Sequence, residues 1–134
     1  MLQLKLKDPY EAVFVGLRLE NPSTGESTIV DAKIDTGATV TLVPMSMVND
    51  LDLEVIGEAD FAAANGGIIH TYIAYVKASL SEEDIFDVPI YIHKSEREVA
   101  FVGMDILQLC NYAQWHEGKG KEHSIFFKIE SVET

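Results

Sequence analysis

The sequence predicts an all-β, barrel-like domain with one or two short helices, spread over residues 1–134 as a single domain. Three observations predict it. Apolar and polar residues alternate over many short stretches, the period of a strand with one buried face. Clusters of Gly, Pro, Asn and Asp separate those stretches at short intervals. Helical spacing of apolar residues appears only after Pro44 and after Gly103, and over few residues each time. A chain of 134 residues is long enough to enclose a core of its own.

The elements follow in order. Leu2, Leu4 and Leu6 alternate with Gln3, Lys5 and Lys7 as a first strand, which Asp8-Pro9 ends. Tyr10 to Glu20 reads as a second strand, with Gly16 expected to mark a bulge. Asn21-Pro22-Ser23-Thr24-Gly25 is turn chemistry. A third strand runs from Ser27 towards Asp35. Pro44 opens a short helical turn with Met45, Val48 and Leu51 on one side.

Asn65-Gly66 is a strong hairpin signal, and Gly67 follows it. Its flanks, Phe61-Ala62-Ala63-Ala64 and Ile68-Ile69-His70-Thr71-Tyr72, can pair as a ribbon. Tyr72 to Leu80 and Ile85 to Ile92 form another hairpin around Ser81-Glu82-Glu83-Asp84. Pro89 places the second of these strands near an edge or a bulge. His93 to Glu98 is a charged loop, and Val99 to Val102 a buried strand. Gly103 permits close approach of a neighbouring backbone. Met104 to Asn111 reads as a short helix whose first turn Asp105 caps or stabilises. Cys110, at helical spacing from Ile106 and Leu107, reads as a buried thiol. Gly118-Lys119-Gly120-Lys121 is a flexible loop, with His116 and His123 in loop-like surroundings. Ser124 to Glu130 is the final strand.

The most informative stretch is Ala32-Lys33-Ile34-Asp35-Thr36-Gly37-Ala38-Thr39. Val30, Ala32 and Ile34 share one strand face, so Asp35 falls on the other at the strand end. Gly37 lets the chain turn sharply and bring backbone N–H groups to the carboxylate. The Thr36 hydroxyl can bond the turn or a partner loop. Ile34-Asp35-Thr36-Gly37-Ala38 resembles the active-site signature of the retropepsin-like aspartic peptidases. Phe101-Val102-Gly103-Met104-Asp105-Ile106-Leu107 resembles that family's second signature: two apolar residues, a glycine and a short helix. Order, spacing and length fit over nearly the whole chain.

The resemblance implies a closed retropepsin-like acid-protease barrel with one lobe per chain. It implies Asp35 as the catalytic acid, with Thr36, Gly37 and Ala38 supporting its turn. It also implies that Asn65, Gly66 and Gly67 tip a flap over a peptide or protein substrate; the bland alternative is an ordinary hairpin. Asp105 takes a structural place in that pattern. Met104 stands where viral members often carry a basic residue, and an apolar residue there resembles cellular relatives.

Cleaving a peptide without metal or covalent intermediate needs a base to activate water and an acid to protonate the leaving amine. Two carboxyls sharing one proton can do both. With one Asp-Thr-Gly and no length for a second lobe, the chemistry predicts a homodimer that pairs Asp35 with its copy. The strands of Leu2, Leu4 and Leu6 and of Ile125, Phe127 and Ile129 either form the dimer sheet or close the barrel of one chain.

Two rivals stand beside the homodimeric endopeptidase. A non-catalytic peptide- or protein-binding module could use the same fold. A metal hydrolase would need ligand spacing that His70, His93, His116 and His123 do not show, so no metal and no cofactor is expected. The net charge of −12 and the scattered Lys and Arg make nucleic acid a poor partner. The acidic surface favours basic or neutral polypeptides. No segment has the length and apolarity of a membrane span. The first residues alternate instead of forming a signal-peptide core. With the single Cys110, these features fit a cytoplasmic setting.

Overall fold

The computed structural model describes residues 2–6, 13–80, 85–117 and 124–131, with side chains at 13–80 and 85–110. Ten strands and two short helices make up the described residues. They run β1 (Leu2–Leu6), β2 (Phe14–Glu20), β3 (Ser27–Ile34), β4 (Leu42–Val43), α1 (Ser46–Leu51), β5 (Gly57–Ala62), β6 (Ile68–Ser79), β7 (Phe86–His93), β8 (Phe101–Val102), α2 (Met104–Leu107), β9 (Cys110–Glu117) and β10 (Ser124–Ser131).

Seven strands form one sheet in the order β2-β3-β8-β4-β7-β6-β5. A further pairing of β2 with β6, through Arg18, Leu19 and Glu20, brings the sheet back to its first strand. Six strands thus close a ring, and β5 hangs from β6 as an outer arm. Closure removes two sheet edges that would otherwise expose unpaired N–H and C=O groups.

Alternation fills the ring. Val15, Leu17 and Leu19 on β2, Ala74, Val76 and Ala78 on β6, and Val88, Ile90 and Ile92 on β7 are all buried, each two residues from the next. Met47 and Leu51 of α1 and Ile106 and Leu107 of α2 pack into the same core. Cys110 is buried as expected, its Sγ donating to the Ile106 carbonyl at 3.6 Å. Burying a side chain the size of Leu17 is worth roughly 1.5–3 kcal/mol.

The Asn21–Gly25 turn forms, with Gly25 at φ +78°. Asn21 does more than turn the chain. Its buried amide donates to the carbonyls of Leu51 at 2.8 Å and Asp52 at 3.1 Å, which satisfies the end of α1.

Three expectations need correction. Gly16 is not a bulge: it pairs with Asp31 in an unbroken β2–β3 register. The second helix stops at Leu107, and Cys110 to Glu117 is strand β9 instead. His116 therefore lies in a strand opposite Ile125, not in a loop. Short apolar stretches fit either period, and pairing with β10 decides this one for strand.

Pro89 stands in unbroken register with Tyr75, so there is no bulge at this proline either. Tyr91 donates to the Thr41 carbonyl on the β4 side. Pro89, two residues earlier, turns its nitrogen the same way, before β4 has begun. Its missing N–H thus falls on a locally unpaired edge, as a proline in a strand requires.

The terminal strands do not close the ring. They form a separate antiparallel sheet, β1-β10-β9, in which Leu2, Leu4 and Leu6 pair with Ile129, Phe127 and Ile125. Gly118 to Lys121 lies outside the described residues, as does the turn Ser81–Asp84.

Candidate active site

Strand β3 ends at Ile34, and the chain turns at once. Asp35 N donates to the Val102 carbonyl at 3.0 Å, which ties the turn to β8. Gly37 N donates to Asp35 Oδ1 at 3.0 Å, and Ala38 N donates to the Asp35 carbonyl at 3.1 Å. These bonds fix the carboxylate in a tight Asx turn. Asp35 is half-buried and Thr36 and Gly37 are exposed, so the acid faces accessible space. Among the described residues nothing hydrogen-bonds Asp35 Oδ2 or the Thr36 side chain.

The second glycine motif is the clamp behind this turn. A Cβ on Gly103 would lie 2.4 Å from the Val40 carbonyl oxygen and 2.9 Å from that of Ala38. Only glycine allows this backbone crossing. Helix α2 starts there, and its first N–H groups have no partner within the helix. Met104 N donates to the Ala38 carbonyl at 2.8 Å and Asp105 N to that of Thr39 at 3.2 Å. The bare end of one helix thus holds the chain that leaves Asp35.

Thr41 and Asp105 complete the clamp. Thr41 is fully buried. Its Oγ1 donates to Asp105 Oδ1 at 2.7 Å and accepts from Gly103 N at 3.1 Å. Its N–H donates to Asp105 Oδ2 at 2.9 Å. Asp105 also accepts from Ile106 N at 2.8 Å. The carboxylate therefore does steady the first turn of α2, and it bonds Thr41 across 64 residues as well. Sequence reasoning missed Thr41. Its one signal was a hydroxyl inside the apolar run Val40-Thr41-Leu42-Val43, where a buried donor needs a partner.

The hairpin forms where expected, with Asp60 opposite His70 and Ala62 opposite Ile68. Gly66 N donates to the Ala63 carbonyl and Ala63 N to that of Gly67. Gly66 sits at φ +87° and Asn65 does not. This is a three-residue loop with a left-handed third position, not a two-residue turn. Asn65, Gly66 and Gly67 are exposed, and none hydrogen-bonds the Asp35 turn. The structure thus joins Asp35, Thr36, Gly37 and Ala38 in one turn and sets the hairpin apart.

His70 pairs with Asp60 at 2.8 Å, both exposed. His93, opposite Thr71, is buried with its Nε2 unbonded. Burial, and secondarily the nearby Arg97 charge, lower its pKa below the ordinary 6.5. Among the described residues no three of His, Cys, Asp and Glu gather as a metal-binding cluster.

A single-lobe ring of strands, with an Asp-Thr-Gly turn clamped by a glycine and a short helix, defines the retropepsin-like aspartic protease class of fold. The sequence profile of the family described as "gag-polyprotein putative aspartyl protease" matches residues 25–109, and the chain belongs to that family. Solved structures agree on the fold. EIAV protease, complexed with the inhibitor HBY-793, has a TM-score of 0.60 at 16% identity over 75% of this chain and 89% of its own. A retropepsin-like aspartic protease from Rickettsia conorii has a TM-score of 0.56 at 11% identity, over 93% of this chain and 98% of its own. No curated protein matches the chain in sequence.

Proposed function

We propose that this chain is a homodimeric aspartic endopeptidase, one domain per chain over residues 1–134, with Asp35 of each subunit forming the catalytic pair. The observation that carries the proposal is the Asp35 turn: half-buried, held by Gly37 N at 3.0 Å, with its outer oxygen unpartnered among the described residues. Two such carboxyls facing each other cannot both ionise and so share a proton. The ionised one takes a proton from water as the oxygen attacks the peptide carbonyl carbon. The protonated one gives its proton to the carbonyl oxygen. The resulting diol collapses, the C–N bond breaks, and the nitrogen leaves with a proton. The pair then titrates with two apparent pKa values that belong to both groups together.

Thr36 braces the two turns across the symmetry axis, and Gly37 and Ala38 set the turn. Asn65, Gly66 and Gly67 cover an extended peptide that adds to the groove as a strand. The separate β1-β10-β9 sheet supports dimer formation, because its outer edges can accept a second copy. Among the described residues no helix is long and apolar enough to cross a membrane. A cytoplasmic setting suits the buried thiol of Cys110.

The test is Asp35→Asn in a peptide-library cleavage assay, with the unmodified chain diluted in parallel. Cleavage falls by at least about a thousandfold in the variant, in keeping with loss of an acid–base group. Activity per unmodified chain drops on dilution as dimers separate. Cleavage unchanged in the variant ends the catalytic assignment, and activity per chain unchanged on dilution ends the dimeric one.

A further inference from the structure

A cavity of about 410 Å³ opens beside the hairpin. Ile68 and Ile69, immediately after the hairpin tip, form one wall. His93, Ser95 and Arg97, from the end of β7 and its loop, form the other. Lys94 N donates to the His70 carbonyl at 3.0 Å and stitches the walls together. The volume lies in the range of small-ligand sites.

Its charged lining residues are basic. The sequence has 22 acidic and 10 basic residues, yet among the described residues Lys94 and Arg97 line this cavity and no Asp or Glu does. Two of the bases are already engaged. Lys94 Nζ bonds Glu58 at 2.7 Å, which holds its pKa above the ordinary value, and His70 bonds Asp60. Arg97 is exposed and makes no ion pair among the described residues. Its charge reaches His93, whose Nε2 is buried without a hydrogen-bond partner.

We infer that this cavity takes an acidic side chain of the bound peptide, its carboxylate paired with Arg97 and hydrogen-bonded by Ser95. Ile68 and Ile69 pack on the methylenes of that side chain. Arg matches a carboxylate in a two-pronged geometry that neutral amides cannot reproduce. At long range the acidic chain disfavours acidic peptides. Selection for one Glu at one position is therefore local, not a general taste for acid. The inference rests on the hairpin-and-groove part of the reading above, not on cleavage.

Binding of peptides to the Asp35→Asn chain separates the two. Octapeptides are compared that differ only by Glu, Gln or Lys at one varied position. At one position Glu binds about tenfold tighter than Gln, the gain expected of a charge-assisted bond. Adding Arg97→Glu, a change at an exposed site, reverses the preference at that position to Lys. Equal binding of Glu and Gln at every position overturns the inference. So does a Glu preference that survives Arg97→Glu, or no peptide binding at all. A Glu preference in binding without cleavage by the unmodified chain sinks the peptidase reading and leaves this one standing.

Discussion

The Asp35 turn and the Asn65 hairpin tip are built from the same local bond. In each, a side-chain oxygen accepts the N–H of a glycine two residues on, at 3.0 Å. Their surroundings differ in every other respect. Behind Asp35 lie Val102, Gly103 and the first turn of α2, joined to the chain by six further bonds, one each from Asp35, Gly103, Met104 and Asp105 and two from Thr41. Among the described residues, the hydrogen bonds behind Asn65 are those of the hairpin's own ladder. The same Asx turn is thus a fixed mount in one place and a free tip in the other. Position depends on what the backbone packs against, not on the turn itself.

The comparison can be broken at its glycines. Gly103→Ala has the largest expected effect. Its Cβ would meet backbone atoms of Val40 and Ala38, which cannot swing aside. Overpacking against backbone costs about 3 kcal/mol or more, read as a lower urea midpoint. A variant as stable as the parent would show that the clamp yields, and the contrast would fail.

Gly66→Ala probes the other region and has a smaller effect. There is open space around a Cβ at Gly66, so only the left-handed φ of +87° penalises the change. That costs about 1–2 kcal/mol, and urea unfolding of the two alanine variants side by side measures the difference. A loss as large as that of Gly103→Ala would mean the tip is packed as firmly as the mount.

The last effect vanishes at neutral pH and grows in acid. His93 stands at the root of the hairpin, and its pKa lies below that of the unfolded chain. The unfolded state therefore takes up the proton first. The stability tied to neutral His93 is complete above pH 6.5 and declines as pH falls towards the folded pKa. Hydrogen exchange between about pH 7.5 and 5.5 should, after correction for intrinsic rates, loosen residues 68–73 more than residues 34–38. His93→Leu should remove that difference. Equal loosening of both regions would count against it.

Much of this was legible in order along the chain. The strand period marked β2, β3, β6 and β7, because alternation follows from one-sided burial. The glycine motifs marked both the turn and its clamp, since only glycine permits the tight crossing at Gly103. Where alternation was short or interrupted, the reading slipped. The end of α2 against the start of β9 depended on a partner strand, as did the regular pairing of Gly16.

By itself, then, the sequence determined the all-β class, the Asp-Thr-Gly turn and the hairpin, because each rests on residues within a few positions of one another. Tertiary structure alone decided that β2 meets β6, that Thr41 bonds Asp105, and that the terminal strands stand as a sheet of their own. It alone gathered Arg97, His93 and Ile68 around one cavity. Contacts between residues far apart in the chain carry no local period or turn signal. They are set by which surfaces remain to be buried once the local elements have formed.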